Sequence, residues 1–212
     1  MRRFTLLSLL TFFIAISASA YSITDAWISM PDSFVPSLSA TLRRELVDLK
    51  QQGRRPEVAN LLQGKTTLDT LTADYMRVSL SPAAIFEMCR LPMLNGDTIV
   101  CVVKTYSAPA KESEVAFYNR QWLKIELKHA FAGKCFDGMV KSLVAKPDTM
   151  AKSRFEDLSA MLEPVMGWAE LSANGPSIVF HRSAPLVESA DKKLLEAILL
   201  QRRLKWNGET FK

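Results

Sequence analysis

A chain of 212 residues, 48% hydrophobic and 23% charged, has the make-up of ordinary globular material, long enough for one domain or two small ones. Its formal charge of +5 comes from 27 Lys and Arg against 22 Asp and Glu. The basic residues fall in isolated pairs (Arg43-Arg44, Arg54-Arg55, Lys192-Lys193, Arg202-Arg203) and not in one patch interleaved with aromatics, so no nucleic acid is expected as a partner.

The chain opens with Arg2 and Arg3, a charge-free apolar run from Phe4 to Ile16, and the triplet Ala18-Ser19-Ala20. This is the pattern of a signal peptide over residues 1–20, with Ala18 and Ala20 read by the peptidase at its cut. The apolar stretch of about fifteen residues falls short of the ~20 that cross a hydrocarbon core. Thr5, Ser8, Thr11 and Ser17 interrupt it, and no Cys stands near the cut to take a lipid. The expectation is an exported chain in the periplasm or cell envelope, with no membrane span after cleavage.

From Tyr21 the sequence predicts a short extended lead-in, broken by Pro31 and Pro36. Ser39 then caps a helix carrying Leu42, Leu46 and Leu49 on one face and Arg43, Arg44, Glu45, Asp48 and Lys50 on the other, ended near Gly53. Pro56 to Leu62 reads as a second short helix before Gly64, and Leu68 to Ala73 as one more turn. The period then changes to two. Tyr75–Ser81, Ala84–Leu91, Thr98–Tyr106 and Glu114–Tyr118 read as strands, with Trp122–Leu127 as a further one; Thr98–Val103 is apolar almost throughout, as in a strand covered on both faces. Helical spacing returns over Phe136–Val144 and Met150–Leu162. Strands follow at Trp168–Ser172 and Ser177–Ser183, then a helix capped by Ser189 and running to Leu199, with Lys192, Lys193 and Glu196 outward. A hairpin across Asn207-Gly208 closes the chain.

This order predicts an α+β fold, helices packed on antiparallel meander sheets. It divides into residues 21–127 and 128–212, as two α+β units or one continuous domain. An internal echo suggests that the units are similar: Tyr75–Ser81 resembles Met166–Ser172, and an Asn-Gly, an Ile-Val and a Ser-Ala-Pro (Ser107–Pro109, Ser183–Pro185) follow each.

Cys89, Cys101 and Cys135 are an odd number for an oxidising compartment. Cys89 and Cys101 flank the hairpin signal Asn95-Gly96. A two-residue turn there pairs positions summing to 191 and sets Cys89 against Val102; a three-residue loop centred on Asn95 pairs positions summing to 190 and sets Cys89 against Cys101. A Cys89–Cys101 disulfide therefore depends on one residue of turn length. The alternative is two small buried hydrophobes.

Catalytic signals are sparse. There are two histidines: His129 is expected near the surface, and His181 on the strand parity opposite Ile178 and Phe180, outward or half-buried. No G-x-S-x-G, H-E-x-x-H, CxxC or phosphate loop occurs, and Asp97 and Asp137-Gly138 lack the spacing of a calcium loop, so no cofactor or metal is expected. Glu112, Glu114, Glu156 and Asp157 read as surface charge, although a two-carboxylate hydrolase would draw on such residues. Trp122, Trp168 and Trp206 with Phe117-Tyr118 suit a sheet core, or a glycan-binding face.

Taken together, Met30-Pro31-Asp32-Ser33, Leu71-Thr72-x-Asp74-Tyr75, Met88-x-x-Leu91-Pro92, Thr98–Val103, Pro109-Ala110-x-x-Ser113, Phe117-Tyr118 with Trp122, and Trp206-Asn207-Gly208-x-x-Phe211 resemble domain-of-unknown-function family 3256, uncharacterised exported proteins of Bacteroidales. The resemblance implies an envelope location and brings no catalytic residue. The functional expectation is a non-catalytic binding or interaction module for an envelope protein, peptide or glycan; the alternative is a cell-envelope hydrolase acting on glycan or peptide.

Overall fold

The structure, a computed structural model, describes residues 21–107, 110–184 and 189–212. The residues expected at the peptidase cut, Ala18 and Ala20, lie outside the described residues, as do parts of both Ser-Ala-Pro words and the side chain of Ser189.

The lead-in is helical, not extended. Helix α1 (Ile23–Ser29) is started by a capping box: the Ser22 Oγ accepts the Asp25 N–H at 3.0 Å, and the Asp25 carboxylate accepts the Ser22 N–H at 2.9 Å. One 3-10 turn (Asp32–Phe34) follows. Helix α2 (Ala40–Gln51) begins as the sequence predicts, with the Ser39 Oγ accepting the Leu42 N–H.

The next two expectations are corrected. Pro56–Leu62 is not a helix but carries strand β1 (Glu57–Ala59), and Leu68–Ala73 is not a turn but the end of β2 (Lys65–Leu71). These two pair with each other, Val58 opposite Thr66. Strands β3 (Tyr75–Ser81), β4 (Ala84–Pro92), β5 (Thr98–Tyr106) and β6 (Glu112–Tyr118) form as the alternation requires, whereas the last strand shortens to β7 (Lys124–Ile125). All seven lie in chain order in one antiparallel meander. The remaining elements are α3 (Phe136–Lys141), α4 (Lys152–Ala160), β8 (Gly167–Leu171), β9 (Ser177–Arg182), α5 (Ser189–Glu196) and β10 (Gln201–Lys205), the strands making a second antiparallel sheet in the order β10-β9-β8. The fold is α+β.

Both faces of the large sheet are covered at its centre. Met76, Val78, Phe86, Met88, Val100 and Val102 point to α1 and α2, against Trp27, Leu38, Leu46 and Val47. Tyr75, Cys89, Leu91, Ile99, Cys101, Val103 and Phe117 point the other way, against Phe131, Val140, Ala169, Phe180 and Phe211. Strand β5 is therefore apolar on both parities because neither of its faces meets water, as its composition predicts. Each large side chain so buried contributes roughly 1.5–3 kcal/mol. Residues of 21–127 and of 128–212 share this second core.

Gly167 lies where β8 meets α3: a Cβ there would run into the Val140 side chain and the His181 carbonyl. The edge of β8 is closed by a side chain. The Ser113 Oγ accepts the Ala169 N–H at 3.0 Å and lies 2.7 Å from the Thr105 hydroxyl. The echoed words sit in unlike settings: β4 separates Tyr75–Ser81 from Ile99-Val100, whereas β8 and β9 pair directly. The echo does not correspond to a shared topology.

Candidate functional site

One end of the molecule carries a cleft of ≈ 390 Å³, between the loop that enters β3, the β4–β5 hairpin end and the β8–β9 turn. Its walls carry Thr72, Asp74, Arg90, Thr98, Ser172 and the Gly175-Pro176 turn, and its floor includes Tyr75 and Cys89. Local chain chemistry builds each wall. The Thr72 hydroxyl accepts the Tyr75 N–H at 3.0 Å and turns the chain into β3. The Arg90 N–H donates to the Asp74 carbonyl at 2.8 Å, and the Arg90 Nη2 pairs with the Asp74 carboxylate at 2.7 Å. The Arg90 Nη1 donates to the Tyr21 carbonyl, tying the start of the described chain to this wall. A second concavity of ≈ 360 Å³ shares Thr98 and adds Asp97, Asn119, Arg120 and Gln121.

Behind the cleft lies a buried polar cluster. Glu87 is 1% exposed, on the face of β4 that meets the second sheet. Its Oε1 accepts the Tyr75 hydroxyl at 2.6 Å and an Arg77 Nη1 at 3.2 Å; Arg77 also faces the Asp69 carboxylate at 3.7 Å. Burial pushes the Glu87 carboxyl above the ordinary carboxylate range, although the Tyr75 hydroxyl and the Arg77 charge pull it part of the way back. Burial, and then the neighbouring carboxylate, push the Tyr75 hydroxyl well up. Every oxygen and nitrogen of this cluster that has a partner finds it inside the protein. Its chemistry is that of a clamp joining β3 to β4.

Residues 15–211 match the model of one protein family. The chain belongs to DUF3256, a family of proteins of unknown function. It is also similar to a solved structure, a domain of an uncharacterized protein from Porphyromonas gingivalis W83, with 17% identity and a TM-score of 0.70 over 90% of this chain and 96% of that one. At that identity the likeness shows a common fold. No curated protein matches the sequence.

His181 of this DUF3256 chain lies on the parity that its strand pattern assigns, opposite Trp168 in register, yet it is 9% exposed. A ring stack explains the burial. The imidazole lies 3.8 Å from the Trp168 ring, tilted by 5°, and the Lys111 Nζ sits 4.2 Å from the centre of the same indole. Burial lowers the His181 pKa from 6.5, and Lys111 adds to this; Glu170, whose Oε1 is 3.4 Å from Nε2, opposes it. The unfolded chain takes up a proton near the unperturbed value, while folded His181 resists it until lower pH, so stability falls as pH drops through that window. Urea melts at a series of pH values from about 7 to about 5 should show this loss, and His181→Asn should flatten it. A slope unchanged in the variant would show that His181 does not carry it.

The other expected residues are dispersed. His129 is exposed, and so are Glu112, Glu114, Glu156 and Asp157, with Glu156 facing Lys152 at 3.7 Å. They are surface charge, as their spacing suggests. The indoles present no free platform: Trp122 packs against Phe34 and Tyr118, Trp206 against Phe117 and Phe211, and Trp168 lies between Lys111 and His181. Among the described residues no group of three metal-ligating side chains occurs. No described helix is long and apolar enough to cross a membrane.

Cys89 and Cys101 stand directly opposite each other, the register in which paired positions sum to 190. Both are free thiols, 3% and 0% exposed, and burial raises the Cys101 thiol. The sequence marks Thr72 and Asp74 only through the family resemblance and gives no sign that they meet Arg90 and Ser172, since the four come from one loop, the end of β4 and the turn after β8. Glu87 left a trace, as a lone acid inside the apolar run of β4.

Proposed function

We propose that this chain is exported and acts as a non-catalytic binding module, taking an extended peptide or glycan segment in the cleft beside Arg90. The cleft carries the reading: its lining is mostly apolar, set with the Thr72, Thr98 and Ser172 side chains and one Arg–Asp pair, the mixture of contacts that an extended segment with apolar and polar groups would use. The buried acid Glu87 is engaged by Tyr75 and Arg77, which favours binding over general-acid hydrolysis. Export draws support from the leader pattern and from the capping box at Ser22, two residues past Ala20, which lets a chain cut there begin its first helix at once.

Wild-type chain and Ala173→Trp, which fills the cleft mouth, would be titrated against panels of peptides and oligosaccharides. The expected result is a ligand whose affinity drops by about tenfold or more in the variant. Binding indifferent to the tryptophan, or turnover of any panel member, overturns the reading. Amino-terminal sequencing of the protein from the cell envelope should begin at Tyr21; a chain that keeps Met1 in the cytosol overturns export.

A further inference from the structure

The geometry points to Cys89 and Cys101 as a cross-strand disulfide site that closes when the thiols meet a disulfide oxidant. The two residues share one rung of the β4–β5 ladder. The phase of that rung follows from its neighbours. The Met93 N–H donates to the Asp97 carbonyl at 2.8 Å, and the Arg90 N–H turns the other way, to the Asp74 carbonyl. Ladder bonds alternate, so Leu91–Ile99 and Cys89–Cys101 are hydrogen-bonded rungs. Such a rung holds its Cα atoms about 5.5 Å apart, within the span of roughly 4.4–6.8 Å that a disulfide bridges. Its Cβ atoms stand at the wide end for the ladder, so closing the bond draws the two strands together and leaves it easily reduced. Both side chains point to the same face, into the core between the sheets.

Access differs between the two. Cys89 forms part of the cleft floor, Cys101 lies behind it with no exposure, and Cys135 is exposed just before α3. The odd cysteine count therefore resolves as one pair and one remaining thiol. With a low-molecular-weight disulfide as oxidant, the Cys89 thiolate attacks one of its sulfurs and expels the first thiol. The Cys101 thiolate then attacks Cys89 Sγ in the mixed disulfide and expels the second. One Sγ–Sγ bond forms and the oxidant's S–S bond breaks. Two electrons pass to the oxidant, and the two cysteine protons end on the released thiols. Burial keeps Cys101 protonated, so the second step is slow in the folded protein and fast while the β4–β5 hairpin forms before the second sheet covers it.

The export reading supplies only the oxidising setting, and the test separates the two. The full chain is reduced, unfolded, refolded with oxidised glutathione, alkylated, and digested with trypsin without reduction. Cleavage after Arg77, Arg90 and Lys104 places Cys89 and Cys101 on different peptides. The expected product is those two peptides linked, about 2 Da lighter than their summed masses, with Cys135 alkylated. Folded, reduced chain given the same oxidant should form the link about tenfold more slowly. Alkylation of both Cys89 and Cys101 after refolding, or a bond from either to Cys135, overturns the assignment; Cys135→Ser must retain the link. If the refolded chain links but chain blocked at lysis of the cells is alkylated at both positions, the site stands and the oxidising setting falls, while export is decided separately by whether the chain begins at Tyr21.

Discussion

Replacing Arg43 by methionine is expected to cost the fold about 3–5 kcal/mol. Arg43 is 1% exposed, and its guanidinium fastens the N-terminal segment from within. Nε donates to the Trp27 carbonyl at 3.1 Å, Nη1 to the Leu38 carbonyl at 3.0 Å and to the Asp32 carboxylate at 2.7 Å, and Nη2 to the Met30 carbonyl. Methionine fills much of the volume but leaves three carbonyls without donors, all on buried residues that pack over the large sheet. Arg43→Lys should recover little, since one ammonium cannot reach the four acceptors that the planar fork serves. Chemical denaturation would read the loss, and hydrogen exchange should show α1 and the segment to Leu38 opening first. A methionine variant within about 1 kcal/mol of wild type would show the clamp to be dispensable.

Glu87→Ala should be nearly as severe, about 3 kcal/mol, because it strands the Tyr75 hydroxyl and half of the Arg77 pairing inside the protein. The figure sits at the low end for a buried pair because Arg77 keeps Asp69 and is partly exposed. Glu87→Gln separates charge from hydrogen bonding. Its amide oxygen still accepts the Tyr75 proton, so the cost should be about 1–2 kcal/mol. The pH dependence also distinguishes the variants. Folded Glu87 holds its proton above the unfolded value of 4.5, so its contribution is full below that value and declines as pH rises through the folded one. Wild type should lose stability across that window and Glu87→Gln should not. The sign is opposite to that of His181. Equal slopes in wild type and Glu87→Gln would overturn the assignment.

Helix α2, strands β3 to β6 and the last hairpin were legible because local rules and tertiary packing agree there. Ser39 is a cap, Tyr75–Ser81 alternates, and Asn207-Gly208 turns the chain. Three local features misled. Pro56 and Gly64 punctuate β1 as they would a helix, but pairing with β2 decides its state. Arg43 has the spacing of a solvent-facing residue on α2, and only the arrival of Trp27, Met30 and Leu38 from the preceding segment buries it. The opposite error concerns α1, expected as extended because of Pro31 and Pro36; both fall past its last residue, and Ser22 with Asp25 starts the helix.

The sequence by itself determined the α+β class, the doubly buried β5 and the parity of His181. These depend on hydrophobic period and turn chemistry within a few residues. It also carried the family likeness. The tertiary structure alone decided the cleft, the Glu87 clamp and the Cys89–Cys101 rung. Thr72, Arg90 and Ser172 converge only when the second sheet closes over the first. The cysteine register rests on one residue of turn length, which both Asn-Gly alternatives satisfied locally. The choice between them was made by packing: positions summing to 190 place Cys89, Leu91, Ile99 and Cys101 on the face that Phe131, Ala169 and Phe180 cover, and Met88 and Val102 on the face that the helices cover.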